Sequence, residues 1–431
     1  MILRVESPAP PLRGELRPPG DKSVSHRALI FACLADGESR VTGLLEGEDV
    51  MATLEACRQL GLQARKSGDT WILQGVGRDG LRAPSAPLDM GNSGTAMRLL
   101  AGVLAAQPFD SVLIGDESLS RRPMKRIVQP LTLMGARIET DPDGTPPLRI
   151  HGNPALEGIE YASPVASAQV KSCLLLAGLY ARGRTVVREP HLSRDHTERM
   201  LPAFGVELAG DRAVTGGGRL QGAHVAVPGD ISSAAFFLVA AALVPGSDLV
   251  LRNVGLNATR DGIVRVLQDM GADIELNDVH ESGGEPIGDI RVRYAGPLRG
   301  VEIAAEQVPA LIDELPVIFA LAAAGEGTLR LRGAAELRVK ESDRLAVMAQ
   351  GLRKLGVAVE EFPDGIDITG GAIGGGTVDG AGDHRCAMSF CVLGLVASGP
   401  VTVTGAHNIA TSYPGFADDL ARLGGQLSRV E

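Results

Sequence analysis

The feature that most constrains this chain is an internal repeat, one pattern that recurs six times at a loose spacing of about 65 to 85 residues. Each copy opens with a polar or charged turn, which is followed by a helix that is almost wholly apolar. A helix that is apolar all round is buried on every side. The predicted buried helices contain the segments RALIFACLA, TAMRLLAGVLAA, VKSCLLLAGLYA, SAAFFLVAAALV, LPVIFALAAA and CAMSFCVLGLVA.

The remainder of each copy predicts strands and a helix of a different kind. Alternating residues in RTVVRE, DLVLRN, TLRLRG and PVTVTG indicate strands. The helix that follows has a single apolar face, as in the fifth copy at Leu345, Met348, Leu352 and Leu355. We expect each amphipathic helix to end at a glycine in the left-handed conformation, at Gly61, Gly135, Gly205, Gly271, Gly356 and Gly424.

The repeat predicts an α/β fold of six β-α-β-α-β-β units, three in each of two domains. A chain of 431 residues exceeds the roughly 250 to 300 residues at which a single core stops growing. Because buried and amphipathic helices alternate, a doubly wound nucleotide-binding fold is excluded. We place the chain crossings at Pro18-Pro19-Gly20 and near Pro228-Gly229. Residues 21–228 then form one domain, and residues 1–20 with 229–431 form the other, to which the first segment adds an extra strand.

Composition and charge narrow the possible functions. A formal charge of −10 argues against a nucleic-acid partner, whose binding needs a basic face. The five cysteines are odd in number and lack metal-like spacing, which indicates free thiols in a reducing compartment. The start has no signal-peptide stretch, and the richest apolar run, Ala234 to Val244, is shorter than the ~20 residues that span a bilayer. We expect a soluble, cytoplasmic protein without a membrane partner.

The starts of the buried helices mix capping residues with cations and carboxylates, in DKSVSHR, NSGTAMR, SAQVK, GDISS, IDELP and DHRCAM. A single start of this kind is most often ordinary capping. Helix N-termini carry partial positive charge and unpaired N–H groups, so six together indicate an anion site inside an acidic protein. GDKSVSHR is not a nucleotide P-loop, because Asp21 separates Gly20 from Lys22. Its Lys22, Ser23 and Arg27 can instead hold a carboxylate or phosphate.

Eight segments that follow one another along the chain resemble the 5-enolpyruvylshikimate-3-phosphate synthases: GDKSVSHR, GNSGTAMR, RPMKR, SAQVK, RDHTE, NATR, RVKESDR and DHRCAMSF. The resemblance covers essentially the whole chain. It implies the two-domain enolpyruvyl transferase fold, with helix ends facing a cleft. It also implies transfer of the enolpyruvyl group of phosphoenolpyruvate to the 5-hydroxyl of shikimate 3-phosphate, with release of phosphate, in aromatic amino acid biosynthesis. The implied partners are these two small molecules, with no cofactor, and we expect a monomer.

The resemblance also implies roles for single residues. Those that would bind phosphoenolpyruvate are Lys22, Gly94, Arg122, Gln169, Arg344 and Arg385. Those that would bind shikimate 3-phosphate are Lys22, Ser23, Arg27, Ser167, Ala168, Gln169, Arg194, Asp313 and Lys340, with Ser167 and Arg194 near its phosphate. Asp313 and Glu341 match the two catalytic carboxylates, Lys22 joins them, and His384 is a lesser member of the site.

The reaction needs these residue types for chemical reasons. Addition of an alcohol to C2 of phosphoenolpyruvate requires a proton on C3 and removal of the hydroxyl proton, and two carboxyls in opposite protonation states can do both. Our hypothesis is that Glu341 protonates C3 and later removes that proton, while Asp313 accepts the hydroxyl proton. Lys22 and Arg122 would neutralise the leaving phosphate, so no metal is expected. By itself, the pair Glu341 and Arg344 would be interpreted as an ion pair on a helix face.

Some positions bear on the class of synthase. SAQ-x-K, RDHTE, NATR and GDKSVSHR resemble the second class, which is often tolerant of glyphosate. The best-known tolerant pattern has an alanine where this chain has Gly94, and glycine lacks the methyl that would crowd the inhibitor, so the resemblance does not predict tolerance. Thr411 stands where first-class members have a lysine that binds phosphoenolpyruvate, and that contact is expected to be absent.

Two other functions are alternatives. An enolpyruvyl transferase acting on UDP-N-acetylglucosamine shares the six-unit architecture, but it usually carries a reactive cysteine where this chain has DESLSRR, and no cysteine lies between Cys57 and Cys173. The opening of that family, of KNA type, is missing as well. A non-catalytic anion-binding protein is the second alternative, and the presence of Lys22, Asp313 and Glu341 argues against it.

Overall fold

A computed structural model describes residues 1–208, 210 and 213–430 of the chain. The chain divides into two compact units. One, here called the split unit, comprises Met1–Pro19, Pro228–His280 and Pro286–Glu431. The other, here called the middle unit, comprises Gly20–Val227 and Glu281–Glu285. Each unit has its own hydrophobic core.

Most of the longer helices of the described residues alternate between buried and half-buried types along the chain. They are α1 (Lys22–Leu34), α2 (Glu48–Gln59), α3 (Gly94–Ala105), α4 (Lys125–Leu133), α5 (Ala168–Gly178), α6 (His196–Met200), α7 (Ile231–Leu243), α8 (Gly262–Met270), α9 (Val308–Leu311), α10 (Leu315–Ala324), α11 (Arg344–Lys354), α12 (His384–Gly394) and α13 (Phe416–Arg422).

The strands are short and are distributed through both units. Those up to residue 226 are β1 (Ile2–Val5), β2 (Arg13–Leu16), β3 (Ala35–Asp36), β4 (Glu38–Thr42), β5 (Gln63–Ser67), β6 (Thr70–Gln74), β7 (Leu88–Asp89), β8 (Ser111–Ile114), β9 (Arg137–Glu139), β10 (Leu148–His151), β11 (Glu160–Ala162), β12 (Arg184–Arg188), β13 (Ala213–Thr215), β14 (Leu220–Gln221) and β15 (His224–Ala226). The later ones are β16 (Asp248–Gly255), β17 (Asp273–Ser282), β18 (Glu285–Arg293), β19 (Glu302–Ile303), β20 (Thr328–Leu331), β21 (Ala358–Phe362), β22 (Gly365–Thr369), β23 (Gly376–Asp379), β24 (Val401–Thr404) and β25 (Leu427–Val430).

The sheets of three or four strands repeat one strand topology, and each of them corresponds to one copy of the sequence repeat. In the order β7-β8-β10-β9, the first pair is parallel and the next two are antiparallel. The orders β15-β4-β6-β5, β19-β20-β22-β21 and β23-β24-β1-β25 have the same pattern. The sheet β11-β12-β13 has a parallel and then an antiparallel pair. In β17-β18-β16-β2, β16 is parallel to β2 and antiparallel to β18.

Two strands are exchanged between repeats. Strand β2 directly precedes α1 in the chain, but it pairs with β16, with Leu249 opposite Gly14. Strand β15 directly precedes α7, but it pairs with β4, with Val225 opposite Val41. In addition, β1 lies between β24 and β25 and completes the last sheet. The chain passes from one unit to the other after Pro19 and before Pro228, and Glu281–Glu285 belong again to the middle unit.

The buried helices lie where the apolar segments predict them. All residues of α7 and α12 are buried, and α1, α3, α5 and α10 bury nearly all of theirs. The predicted ends of the amphipathic helices are confirmed as well, because all six glycines have positive φ angles, between 80° at Gly205 and 117° at Gly61. The third copy departs from the pattern. Its second helix, α6, has only five residues before a short 3-10 turn at Pro202–Phe204.

Across the described parts of the chain, no single helix has both the length and the apolar character needed to cross a membrane. The bent pair Ala305–Leu311 and Leu315–Ala324 meets these two criteria only when its helices, which differ in direction by 110°, are taken together.

Candidate active site

The buried helices of the middle unit begin with capped N-termini. Asp21 caps α1 by accepting the Val24 amide at 2.9 Å, and Ser93 caps α3 by accepting the Ala96 amide at 3.1 Å. Ser167 caps α5 through Val170, and the predicted Ala168 is the first residue of that helix. Each cap satisfies one of the N–H groups that a helix start leaves unpaired. The remaining amides and the helix dipoles favour an anion at these starts.

Lys22 is the first residue of α1, and its position is set by a carboxylate that the sequence motifs did not single out. Its ammonium forms an ion pair with Asp49 of α2, whose side chain is only 6% exposed. The next turn of α1 carries His26, whose Nδ1 lies 2.8 Å from the Thr53 hydroxyl of the same α2 helix. Burial, followed by the charges of Lys22 and Arg27, lowers the pKa of His26 well below its usual value. A neutral His26 thus lies beside a cationic Lys22.

A second group of cations joins α3, α5 and the segment before α4. Arg98 donates to the side-chain carbonyl of Gln169 and, at 3.3 Å, to the carbonyl of Pro123. Arg122 donates to Asn92 at 2.5 Å. Gly94 lies between the two guanidinium groups, since a Cβ there would be 3.1 Å from Arg98 Nη1 and 3.4 Å from Arg122 Nη1. The predicted residues Gly94, Arg122 and Gln169 are therefore neighbours, and Arg98 links them.

Arg27 is almost fully buried in the middle unit. It donates to Thr197 at 2.8 Å, to Ser172 at 2.7 Å and to the carbonyl of the predicted residue Ser23 at 2.9 Å. Burial lowers the pKa of Arg27 to about 10. The guanidinium therefore ties α1 to α5 and to the segment that carries Arg194.

The split unit brings acidic and basic side chains together around one guanidinium. Arg344, at the start of α11, has a side chain that is only 1% exposed. It donates to Glu341 at 2.6 Å, to Asp313 at 3.2 Å and to Asp383 at 2.8 Å. Burial alone would lower the pKa of Arg344, but the three carboxylates raise it well above its usual value. One cation thus fixes two predicted catalytic carboxyls and a third acid.

The third acid belongs to the framework of the site. Asp383 caps α12, where its Oδ1 accepts the Arg385 amide at 2.9 Å, while its Oδ2 accepts from Arg344. The Arg385 side chain donates to the main-chain carbonyl of Asp313 at 3.2 Å. Nearby, burial lowers the pKa of Lys340, and the charge of Asp313 opposes that effect. The predicted residues Asp313, Lys340, Glu341, Arg344 and Arg385 therefore form one cluster, with His384 in the first turn of α12.

A second buried ion pair in the split unit likewise joins an arginine to the aspartate that caps a buried helix. Arg260, from the NATR segment, donates to Asp230, the cap of α7, at 2.9 Å and to Ser232 at 2.7 Å. Ser232 in turn donates to Glu314, which precedes α10 and follows Asp313 in the chain. The network connects the start of α7 to the segment that carries a predicted catalytic acid.

Sequence reasoning did not assign roles to Asp49, Arg98, Asp383 or Glu189. Arg98 and Asp383 stand inside GNSGTAMR and DHRCAMSF, so their presence in these motifs is a signal for both residues. Asp49 and Glu189 had no such signal, because both lie outside the motifs and are distant in sequence from the lysines with which they pair, Lys22 and Lys171. Thr411 is buried and donates to the carbonyl of Asn408 at 2.7 Å. Among the described residues, no group of three or more His, Cys, Asp and Glu side chains is arranged to hold a metal ion.

Comparison with known families gives one consistent result. A family model described as EPSP synthase (3-phosphoshikimate 1-carboxyvinyltransferase) matches residues 7–420. The 3-phosphoshikimate 1-carboxyvinyltransferase of Xanthomonas campestris pv. campestris (strain B100) is 59% identical over 418 residues, which cover 96% of this chain and 95% of the relative. The protein of that name from Xanthomonas oryzae pv. oryzae (strain PXO99A) is 58% identical, with 96% and 94% covered.

Solved structures agree with this result. An EPSP synthase from Acinetobacter baumannii superposes with a TM-score of 0.89 at 48% sequence identity, and the match covers 100% of both chains. A second structure of an EPSP synthase from that organism gives a TM-score of 0.88 at 46% identity, again over both complete chains. The predicted α/β enolpyruvyl transferase fold is confirmed by these similarities.

Proposed function

The chain belongs to the EPSP synthase family, and from that premise we propose which of its side chains perform each part of the reaction. It transfers the enolpyruvyl group of phosphoenolpyruvate to the 5-hydroxyl of shikimate 3-phosphate and releases phosphate, by addition and elimination through a tetrahedral intermediate. The observation that carries the assignment is the shared guanidinium of Arg344, which holds Asp313 and Glu341 in fixed positions.

The two carboxyls exchange protons with different atoms. Glu341, as the acid, gives a proton to C3 of phosphoenolpyruvate while the 5-oxygen of the acceptor bonds to C2. Asp313, as the carboxylate, accepts the hydroxyl proton of the acceptor. In the elimination, Glu341 takes one proton back from C3, the bond from C2 to the phosphate oxygen breaks, and phosphate leaves with the proton that Asp313 accepted. Opposite protonation states on neighbouring carboxyls are a known way to run acid and base steps together.

The cations stabilise the charge that develops on the leaving group. Lys22 and Arg122 neutralise the phosphate as the bond to C2 breaks, since fixed donors act without reorganising. Arg344 and Arg385 hold the carboxylate of phosphoenolpyruvate, and Gly94 and Gln169 complete that subsite. Ser167 and Arg194 bind the phosphate of the acceptor. Ser23, Arg27, Ala168, Gln169, Asp313 and Lys340 contact the rest of the acceptor.

The first experiment tests the choice of acceptor. Phosphate release is measured with phosphoenolpyruvate and either shikimate 3-phosphate or UDP-N-acetylglucosamine. We expect release only with shikimate 3-phosphate, and release only with the nucleotide sugar would replace this function by its alternative. Titration of glyphosate into the working pair then establishes the response to that inhibitor.

The second experiment tests the two proton carriers. Glu341→Gln is expected to lower turnover by about 10² to 10⁴, the usual range for loss of an acid or base. It should also stop the exchange of solvent deuterium into the C3 methylene. Asp313→Asn should lower turnover to a similar degree. Near-normal turnover with continued deuterium exchange in the Glu341 variant would contradict the assignment.

The proposal also covers the oligomeric state, the cellular compartment and the partners of the protein. We infer a monomer that works in the cytoplasm and contacts neither membrane nor nucleic acid. All five cysteines are buried and free, and burial raises the pKa of Cys173 and Cys391 to about 12. Free thiols suit a reducing compartment. Light scattering during gel filtration tests the oligomeric state.

A further inference from the structure

Two sequence motifs contain charged residues that the proposed reaction leaves without a role. Lys171 ends the segment SAQVK, and Glu198 ends the segment RDHTE. In the structure their side chains form an ion pair, with Lys171 Nζ 2.8 Å from Glu198 Oε1. The Lys171 side chain is 0% exposed. A buried charge of this kind is costly unless it is paired, which indicates that it serves the arrangement of the middle unit.

Glu189 connects this ion pair to the proposed phosphate site. Its buried carboxylate lies 3.0 Å from Lys171 Nζ. The same carboxylate accepts the backbone amide of Ser167 at 2.9 Å and the hydroxyl of Ser193 at 2.6 Å. Ser167 caps α5, and Ser193 immediately precedes Arg194. One carboxylate therefore joins the two chain segments that we assign to the phosphate of the acceptor.

The segment that follows Arg194 is anchored as well. His196 Nδ1 lies 2.7 Å from Glu285, and both side chains are buried. Thr197 accepts from Arg27 at 2.8 Å. Together with Glu198, these contacts hold three consecutive residues of the RDHTE segment. Arg194 is thus carried by a segment that cannot shift without breaking buried polar contacts, which are costly to leave unmade.

The negative charge of Glu189 explains why Lys171 must lie beside it. An uncompensated carboxylate in the dry interior beside a phosphate site would repel the phosphate and would itself be costly to bury. Lys171 lies between Glu189 and Glu198 and neutralises part of their charge. Its Nζ also lies 3.4 Å from the carbonyl of Ser193, which it can bond. The ammonium therefore both fixes the segment before Arg194 and reduces the repulsion that Glu189 would cause.

We propose that Lys171 and Glu189 are positioning residues that set the distance between Ser167 and Arg194 and so determine the affinity for the 3-phosphate of the acceptor. The inference rests on the proposed function, because it takes Ser167 and Arg194 as the phosphate ligands. It accounts for the joint presence of SAQVK and RDHTE in one chain: the lysine of the first and the glutamate of the second are two parts of one buried ion cluster.

The test is the variant Glu189→Gln, which has nearly the same shape but lacks the charge. We expect the KM for shikimate 3-phosphate to rise by about tenfold or more, since a hydrogen bond to a charged group is lost from the support of the site. The KM for phosphoenolpyruvate should change by less than about twofold, because Gln169 is the only residue assigned to that subsite that lies on α5. The matched control is Glu160→Gln, because Glu160 forms an exposed ion pair with Arg188 on the neighbouring strand. The control should change neither KM.

Two further variants keep the test decisive if Glu189→Gln folds poorly. Ser193→Ala removes one hydrogen bond to Glu189 without leaving a buried charge unpaired, and we expect about a threefold rise in the KM for shikimate 3-phosphate alone. Lys171→Met combined with Glu189→Gln and Glu198→Gln removes all three charges of the cluster. It should recover the melting temperature relative to Lys171→Met alone, but not the affinity for shikimate 3-phosphate.

Binding of shikimate, which lacks the phosphate, separates positioning from general damage. If the inference is correct, the variants bind shikimate as the wild type does and lose affinity only for shikimate 3-phosphate. Equal losses for both acceptors, or equal rises in both KM values, would overturn it. If the wild type itself released no phosphate with phosphoenolpyruvate and shikimate 3-phosphate, the proposed function would fail instead.

Discussion

In the middle unit and in the split unit, the buried helices begin at the same position of the repeat. The residues that precede these helices differ between the two units. In the middle unit two of the three caps are neutral, Ser93 for α3 and Ser167 for α5. In the split unit the residues preceding α7, α10 and α12 are all acidic: Asp230, Glu314 and Asp383. The two units thus differ in charge at equivalent positions of one architecture.

This difference in charge shows how the same repeat can serve two purposes in one protein. A neutral cap satisfies an amide but leaves the positive end of the helix dipole uncompensated, which favours a bound anion. An acidic cap neutralises the dipole and attracts a cation, as Arg260 pairs with Asp230 and Arg344 with Asp383. The middle unit is therefore suited to hold an anion, and the split unit to hold several carboxyls around one cation.

Removing the central cation of the split unit should have the largest effect. Arg344→Met leaves three carboxylates without their shared partner, so we expect the free energy of unfolding to fall by about 3 to 5 kcal/mol. Turnover should fall by about 10³ or more, because both proton carriers lose their fixed positions. Urea denaturation and phosphate release measure the two effects. Arg338→Met is the control. Arg338 forms ion pairs with Asp343 and Glu361 but is 25% exposed, and a loss of about 1 kcal/mol or less is expected.

Substituting one cap in each unit tests the comparison directly. Asp383→Asn keeps an oxygen for the cap of α12 but removes the charge that faces Arg344, and should cost about 1.5 to 3 kcal/mol. Ser93→Ala removes a neutral cap from α3 and should cost about 1 kcal/mol. Melting temperatures of the two variants and of the wild type give the ranking. If the serine cap proved more important for stability than the aspartate, the contrast between the units would be wrong.

Acid should weaken the middle unit through His26. The imidazole is buried between Thr53 and Ser93, with Lys22, Arg27 and Asp21 as its charged neighbours, and its folded pKa is well below the usual value of 6.5. Below pH 6.5 the unfolded chain binds a proton that the folded chain does not, so stability falls by at most about 1.4 kcal/mol per pH unit. His26→Gln should flatten this part of the curve of unfolding free energy between pH 7 and pH 5. An unchanged slope would contradict it.

The smallest effect is expected from one methyl group in the middle unit. In Gly94→Ala the new Cβ meets Arg98 at 3.1 Å, so that guanidinium must move by a few tenths of an ångström, and it lies in ordinary contact with Arg122 at 3.4 Å. We expect the KM for phosphoenolpyruvate to rise about three- to tenfold, since small displacements of positioning groups are felt in the rate. Gly371→Ala, where a Cβ has no neighbour within 4 Å, is the control and should leave the KM unchanged.

Much of the fold could be predicted because the same short-range sequence pattern occurs in all six copies of the repeat. The apolar segments become buried helices, and Gly135 and Gly356 end their helices with positive φ angles, as the pattern indicates. Local rules depend on near neighbours in sequence, which a reader of the sequence can see. The short α6 was not predicted, because Pro202 breaks the helix of the third copy after one turn and a half.

The supports of the candidate site were harder to predict than the residues themselves. Lys22 could be named from its motif, whereas its partner Asp49 lies on another helix. Glu189 reaches back to Ser167 across a whole helix and strand. Such pairings are made by tertiary packing, and a single charged residue in a sequence does not reveal which cation it will meet.

The pairing of β1 between β24 and β25 has a consequence for biosynthesis. When β1 leaves the ribosome, the strands that will flank it lie about 400 residues further along the chain, a delay of about 20 to 80 s at the usual rates of synthesis. Strand β15 of the middle unit is made about 175 residues before β24, and Glu281–Glu285 complete that unit soon afterwards. Newly made chains should therefore complete the middle unit first, while β1 waits, exposed to chaperones and proteases, until β24 and β25 have been made.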